Sequence, residues 1–246
     1  MAGKVANRFM GAPVPGPAPA PVPAMAACLL LLGASAWSAA LLWDEGAVAG
    51  AALRLERHWA LADAGRMAGI EAPTPPASAN PRALLADALL RLRLAEPMAP
   101  GAERAMLIEQ AGTAIEAAMP ARPWFGEAWM LEAYRQSLIG PAGHQGFARA
   151  LERSYADAPY LKESGGWRVS SAFAAWGLIS PEARRAAVRE AVWLARMNKD
   201  NHAQVVGRAR QSDGYVPFMV EYMQSRSGDA DFAPIQGAAP WEARQE

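Results

Sequence analysis

The chain has 246 residues, 24 basic and 24 acidic side chains, and a single cysteine, Cys28. Charges that cancel argue against a nucleic-acid footprint. One cysteine excludes an intrachain disulfide framework and any zinc site built on two or more cysteines. The length suits one ordinary domain or a short helical array beside a membrane segment.

Residues 1–24 end in a Pro/Ala run with prolines at 13, 15, 17, 19, 21 and 23. Such a run favours extended polyproline II and builds no core, which predicts a disordered, cytoplasmic leader. Residues 25–43, MAACLLLLGASAWSAALLW, carry no charge. About 20 apolar residues at about 1.5 Å each cross a hydrocarbon core of about 30 Å, so a transmembrane helix is expected here. Lys4 and Arg8 precede it, while all 24 acids and the other 22 basic residues follow, leaving about −2 (22 − 24) beyond it. The positive-inside bias then puts the N-terminus in the cytoplasm and the rest outside. A cleavable signal peptide is the competing reading, because Ala34-Ser35-Ala36 and Ser38-Ala39-Ala40 both have the small-x-small cleavage pattern. Cys28 resembles a lipobox cysteine only superficially, since the apolar run follows it instead of preceding it.

The helical pattern continues through a juxtamembrane helix at residues 44–71, with Val48, Ala52, Leu55, Trp59 and Ala62 at spacings of three and four. Prolines at 73, 75 and 76 mark residues 72–80 as a linker. Asn80-Pro81 then offers an N-cap followed by a first-turn proline, which opens a helical domain over residues 81–224. Leu85, Leu89 and Leu92 form the stripe of its first helix, and Ile108, Ala111, Ile115 and Met119 that of a second, over 103–119. Residues 124–138 are apolar on more than one side, which predicts a central helix packed all round. Phe147, Ala150, Leu151, Ser154 and Tyr155 form the next stripe, then Val169, Ala172, Phe173, Trp176 and Ile179 within a helix over 167–179. Ser180-Pro181-Glu182 is a helix start: a cap, a first-turn proline and an acid that complements the dipole. A shorter helix capped by Asp200 and an amphipathic piece from Pro217 follow, and residues 225–246, with Trp241, are expected to be a disordered tail. No stretch sustains a period of two. The expected fold class is all-α: one N-terminal transmembrane helix, then a helical-repeat domain or an irregular helical bundle.

Residue patterns for chemistry are sparse. His58, His144 and His202 have no ligand spacing, and no nucleophile elbow, phosphate loop or dinucleotide fingerprint occurs. Glu127 with Glu132, or Glu163 with Glu182, are the carboxylates a two-carboxylate glycosidase would use. Trp124, Trp129, Trp167, Trp176 and Trp193 suit either core packing or sugar stacking. Arg168, Arg184, Arg185 and Arg189 lie on a solvated face or line a groove for an acidic partner or glycan. The candidate interaction surface is therefore Trp129, Trp167, Arg168, Trp176, Arg184, Arg185 and Arg189; no catalytic, cofactor-binding or metal residue is selected.

The stretch from Trp124 to Pro159, with Gly146-Phe147-x-x-Ala150-Leu151 and a closing Ala158-Pro159, has the size and punctuation of a tetratricopeptide unit, a helix hairpin that buries both faces only when neighbours stack on it. Across 127–198, Ala128-Trp129, Ala150-Leu151, Ser154, Trp167-Arg168 and Trp176-x-Leu178-x-x-Pro181-Glu182-x-Arg184 add to it. With the apolar segment in front, the layout resembles small bitopic proteins encoded with bacterial exopolysaccharide and O-antigen assembly systems. The resemblance implies a degenerate tetratricopeptide-like periplasmic domain anchored in the bacterial inner membrane. It also implies a non-enzymatic accessory role in surface-polysaccharide assembly or export, without cofactors, through contacts with envelope membrane proteins such as polymerase or export components. A helper of a secretion or division machine, or a glycan-acting enzyme, are the alternatives.

Overall fold

The computed structural model describes residues 22–63, 79–121, 125–197 and 199–227, and among them every regular element is a helix. The chain separates into two compact units, one ending at Glu45 and the other starting at Gly46. The expected leader up to residue 21, residues 64–71 of the expected juxtamembrane helix, most of the linker (72–78), Trp124, and residues 228–246 of the expected tail, with Trp241, lie outside the described residues.

The first helix, α1 (Val22–Asp63), runs 42 residues without a break. One expectation changes here: the helix starts at Val22, inside the expected leader, because Pro23 falls in the first turn, where its missing N–H costs nothing. As the apolar spacing beyond residue 43 predicts, the helix runs on through Asp44 and Glu45, which are tolerable helix residues. In the first unit, Leu29, Leu30, Leu31, Leu32, Trp37, Leu41, Leu42 and Trp43 are all exposed. The stretch Met25–Ala62 is long and apolar enough to cross a membrane, and none of its most apolar window is buried.

In the second unit the same helix acquires a buried face. Ala51 and His58 are buried, and Leu55 between them packs against Leu90, Leu94 and Ile108. One turn on, the Arg93 guanidinium lies 4.8 Å from the Trp59 ring centre and 5.0 Å from that of Tyr134. The Tyr134 hydroxyl donates to Glu96 at 2.7 Å.

Eight shorter helices follow in pairs: α2 (Pro81–Ala95) with α3 (Ala102–Ala118), α4 (Gly126–Ile139) with α5 (His144–Asp157), α6 (Gly165–Ala174) with α7 (Pro181–Met197), and α8 (Lys199–Ala209) with α9 (Tyr215–Ser227). Contacts between pairs are partial: α2 packs on α4 and α6 on α8, α5 packs on α7 and α7 on α9, α3 leads onto α4, and α8 lies chiefly against α7 rather than α9. The starts follow sequence rules: Asn80 Oδ1 accepts from the Arg82 N–H at 3.0 Å, and Ser180 Oγ accepts from the Ala183 N–H at 3.3 Å. Asp200 stands within the first turn of α8 instead of capping it.

As expected, α4 is packed on several sides. Leu131 and Tyr134 join Ala88, Leu92 and Ile115 of the first pair, while Ala133 joins Phe147, Leu151 and Ala172. A further core holds Val169, Phe173, Val192, Val205 and Phe218. Helix α6 stops at Ala174, short of the expected residue 179, because the chain turns through Gly177 and returns Ile179 to the core shared with α5 and α7. Helix α9 continues past residue 224, where Arg196 of α7 donates to the Ser225 carbonyl at 2.7 Å.

The α4–α5 hairpin needs glycine. Gly140 turns with φ +83°, and a Cβ on Gly143 would lie 2.1 Å from the Gln136 carbonyl oxygen. By contrast, a Cβ on Gly207, inside α8, would meet nothing within 4 Å. Gly143→Ala should therefore cost about 1–3 kcal/mol by forcing the hairpin apart. Gly207→Ala should stabilise by about 0.5–1 kcal/mol through helix propensity. Urea unfolding of the full chain in detergent micelles, followed by circular dichroism, measures both.

Candidate functional site

The seven residues expected to share a surface do not share one. Trp129 is half-buried against the α4–α5 core, and Trp176 is half-buried 5.8 Å from Phe173, ring centre to ring centre. Arg184 lies 5.8 Å from the Trp176 ring and donates to the Ile179 carbonyl at 3.1 Å. Arg185 is exposed and pairs with Glu182 at 2.7 Å, and Arg189 is exposed on the same helix. Trp167 sits edge-on to Tyr134, ring centres 5.5 Å apart, with its other side toward the space between α6 and α8.

Arg168 is the clear correction: it is 0% exposed. Its Nε donates to Glu190 Oε2 at 2.9 Å and its Nη2 to Glu190 Oε1. Nη1 donates to the Ser154 carbonyl at 3.0 Å, to Ser154 Oγ at 3.1 Å and to the Ala158 carbonyl at 2.8 Å. Nη2 also reaches the Pro159 carbonyl at 3.3 Å, and the guanidinium lies 4.2 Å from the Tyr155 ring centre. Every donor direction of a planar guanidinium finds an acceptor, which is what burying this side chain requires. Glu190 receives the Leu161 N–H as well, at 2.8 Å, and Ser154 Oγ donates to the Gly126 carbonyl at 2.7 Å. Burial pushes the Glu190 carboxyl above the ordinary carboxylate range, and Arg168 opposes that shift without cancelling it. The cluster joins α4, α5, α6 and α7 and is closed to solvent.

What this buried cluster positions is the opposite side of α6. There a groove of about 760 Å³ opens between α6 and α8. Gly166, Trp167 and Ser170 form one wall, Gln204, Gly207 and Arg208 the other, with Leu194 and Val205 beneath and Lys162 and Glu163 at the mouth. Both walls repeat at three and four residues, the spacing that puts side chains on one helix face. A second recess of about 600 Å³ lies against α3 and α4, at Arg104, Ile108, Gly112 and Arg135. Both its cations are already engaged: Arg104 donates to the Ala95 and Leu138 carbonyls, and Arg135 donates to both Glu132 oxygens at 2.7 Å, a bond that raises its pKa further.

The carboxylate pairs suggested by the sequence take other roles. Glu132 is saturated by Arg135 and Gln136, and Glu127, five residues earlier on α4, projects about 140° away around the helix. Glu182 pairs with Arg185, and Glu163 stands at the mouth of the groove. Among the described residues no group of three or more His, Cys, Asp or Glu side chains is placed to hold a metal ion. Sequence reasoning missed the groove because its signal is weak: glycines at 166 and 207 inside helices, facing polar side chains. No family model, curated protein or solved structure matches the chain.

Removing one partner of the buried pair should be severe. Arg168→Met or Glu190→Leu alone should cost about 3–5 kcal/mol, by leaving an uncompensated charge, whereas the double variant should regain most of the loss. Urea unfolding of the three full-length variants decides this, and a double variant as unstable as either single would refute it.

Proposed function

We propose that this chain is a membrane-anchored scaffold of the bacterial envelope, acting by protein–protein contact in the assembly or export of a surface polysaccharide. The observation that carries the reading is the stacking order of the helix pairs. First helices meet at α2–α4 and α6–α8 and second helices at α5–α7 and α7–α9, a partial form of the stacking by which repeated helix hairpins bury faces they cannot bury alone. The pairs begin at residues 81, 126, 165 and 199, so their spacing shortens as 45, 39 and 34. The last equals a tetratricopeptide period, and the first two are longer. On this reading the domain is a degenerate tetratricopeptide-like array whose irregular loops hide the repeat from the sequence.

The anchor is the apolar part of α1, residues 25–43, in the inner membrane. Basic residues alone precede it, which supports a cytoplasmic N-terminus and a periplasmic helical domain. The polysaccharide assignment rests on the resemblance of layout and motifs described above, with polymerase or export components as partners.

Crosslinking in intact cells, then membrane purification of the tagged full chain and mass spectrometry, tests this. Recovery in the membrane with polymerase, transporter or chain-length components is the expected result. Recovery with secretion or division proteins would overturn the pathway, and recovery alone from the soluble periplasm would overturn both anchor and scaffold.

A further inference from the structure

Beyond α1, where Gly33 and Gly46 are open on an exposed helix, the helical glycines fall into two groups. Gly112, Gly126, Gly143, Gly146 and Gly165 are hemmed in, because an added Cβ on each would lie within 3.2 Å of a neighbouring atom. Gly166 and Gly207 are not: an added Cβ would meet nothing within 4 Å at either. Glycine inside a helix is unfavourable unless something needs the space it leaves. Both open into the groove between α6 and α8.

Several of its polar side chains are unused. Those of Lys162, Glu163, Gln204, Arg208 and Gln211 form no hydrogen bond or ion pair with any described residue. Two cations face one acid, so the groove carries about +1 (2 − 1). An open, polar groove is unlike the enclosed apolar pockets that take compact small molecules. The α8 wall and the turn beyond it, from Asn201 to Gln211, span about 15 Å at about 1.5 Å per residue. That length matches four or five residues of extended chain at about 3.3 Å each.

We propose that the groove between α6 and α8 receives a short, extended, acidic polypeptide segment of a partner protein. This rests on the scaffold reading and names the chemistry of its partner. Gly166 and Gly207 let the incoming backbone approach both helices closely. The Gln204 and Gln211 amides each offer a donor and an acceptor to its peptide groups. Lys162 and Arg208 pair with its carboxylates, and the half-buried Trp167 gives the segment apolar surface to cover.

The test uses the full chain in detergent micelles, panned against a random library of 12-residue peptides displayed on phage. Enriched sequences should carry an excess of Asp and Glu. A labelled peptide from that pool should bind at least tenfold more weakly to Gly207→Leu, which fills the groove, and to Lys162→Glu/Arg208→Glu, which reverses its charge. Neither change touches the buried core, and thermal melts verify that both variants fold. Gly177→Ala, at an open turn outside the groove, should bind as wild type. No enrichment, enrichment of neutral or basic sequences, undiminished binding to Gly207→Leu, or binding of polygalacturonate in place of acidic peptides would each overturn the proposal. Crosslinking in cells separates it from the broader reading. Partners recovered equally with wild type and Gly207→Leu would leave the scaffold standing and remove the groove, whereas no partner with wild type would remove the scaffold.

Discussion

The helical domain depends on a buried cation, Arg168. A guanidinium taken wholly out of water survives only if its charge is balanced and its donors are filled, and Arg168 meets both conditions with groups from three other segments. The chain of contacts is short and directional. The Gly126 carbonyl accepts from Ser154, Ser154 accepts from Arg168, and Arg168 donates to Glu190, so α4, α5, α6 and α7 are linked in order. Its benefit is register more than net stability. Burial lifts the Glu190 carboxyl despite the adjacent cation, so its ionised form is less favoured inside the fold than in water. A slip of α6 along α7 would strand two charges, and that penalty selects one arrangement.

Such a device is needed because alanine is the commonest residue of the core. Ala83, Ala88, Ala95, Ala111, Ala128, Ala133, Ala172, Ala187 and Ala191 are all essentially inaccessible. Small side chains let helices approach closely but give few knobs to fix one helix against another. Other arginines supply ties of the same kind. Arg104, in the first turn of α3, donates to the Ala95 carbonyl at 3.2 Å and to the Leu138 carbonyl at 2.7 Å, satisfying the ends of α2 and α4 together. Arg91, buried beside Asp87 at 2.8 Å, reaches Gln110 of α3. A compact ammonium could not serve several carbonyls in fixed directions, and the planar guanidinium can. The preference for Arg over Lys in this chain thus has a structural use beyond composition.

Much of this architecture was legible in the sequence, for identifiable reasons. Proline and glycine punctuation, the Asn80 and Ser180 caps and the three-and-four spacing of apolar residues located the helices. The unbroken helix through Asp44 and Glu45 was legible too, because the three-and-four spacing continues past them and two acids do not break an alanine-rich helix. The misses have causes as well. Arg168 was placed on the surface by residue type, although position contradicted type. It shares a stripe with Gly165, Val169 and Ala172, just as Glu190 shares one with Ala183, Ala187, Ala191 and Leu194. Opposite charges at the core positions of two consecutive helices were the available signal. The tryptophans were ambiguous because a side chain of that size is seldom fully covered even when it packs, and Trp129, Trp167 and Trp176 are all half-buried.

The two adjacent glycines at the start of α6 explain how a buried network and an open groove coexist on ten residues. Gly165 is pressed inward, where an added Cβ would stand 3.1 Å from Glu190 Oε1, so the helix can begin directly against the buried carboxylate. Gly166, about 100° further round, points into open space. With Arg168, Val169 and Phe173 fixing the inner face, α6 has little freedom to roll or slide. The outer face, with Gly166 and Ser170, is therefore presented to α8 in one orientation. A binding surface is most selective where its own scaffold is rigid, because less order must be imposed when the ligand arrives. The arginine that the sequence suggested as a contact residue thus acts from below, by holding still the helix whose far side is left open.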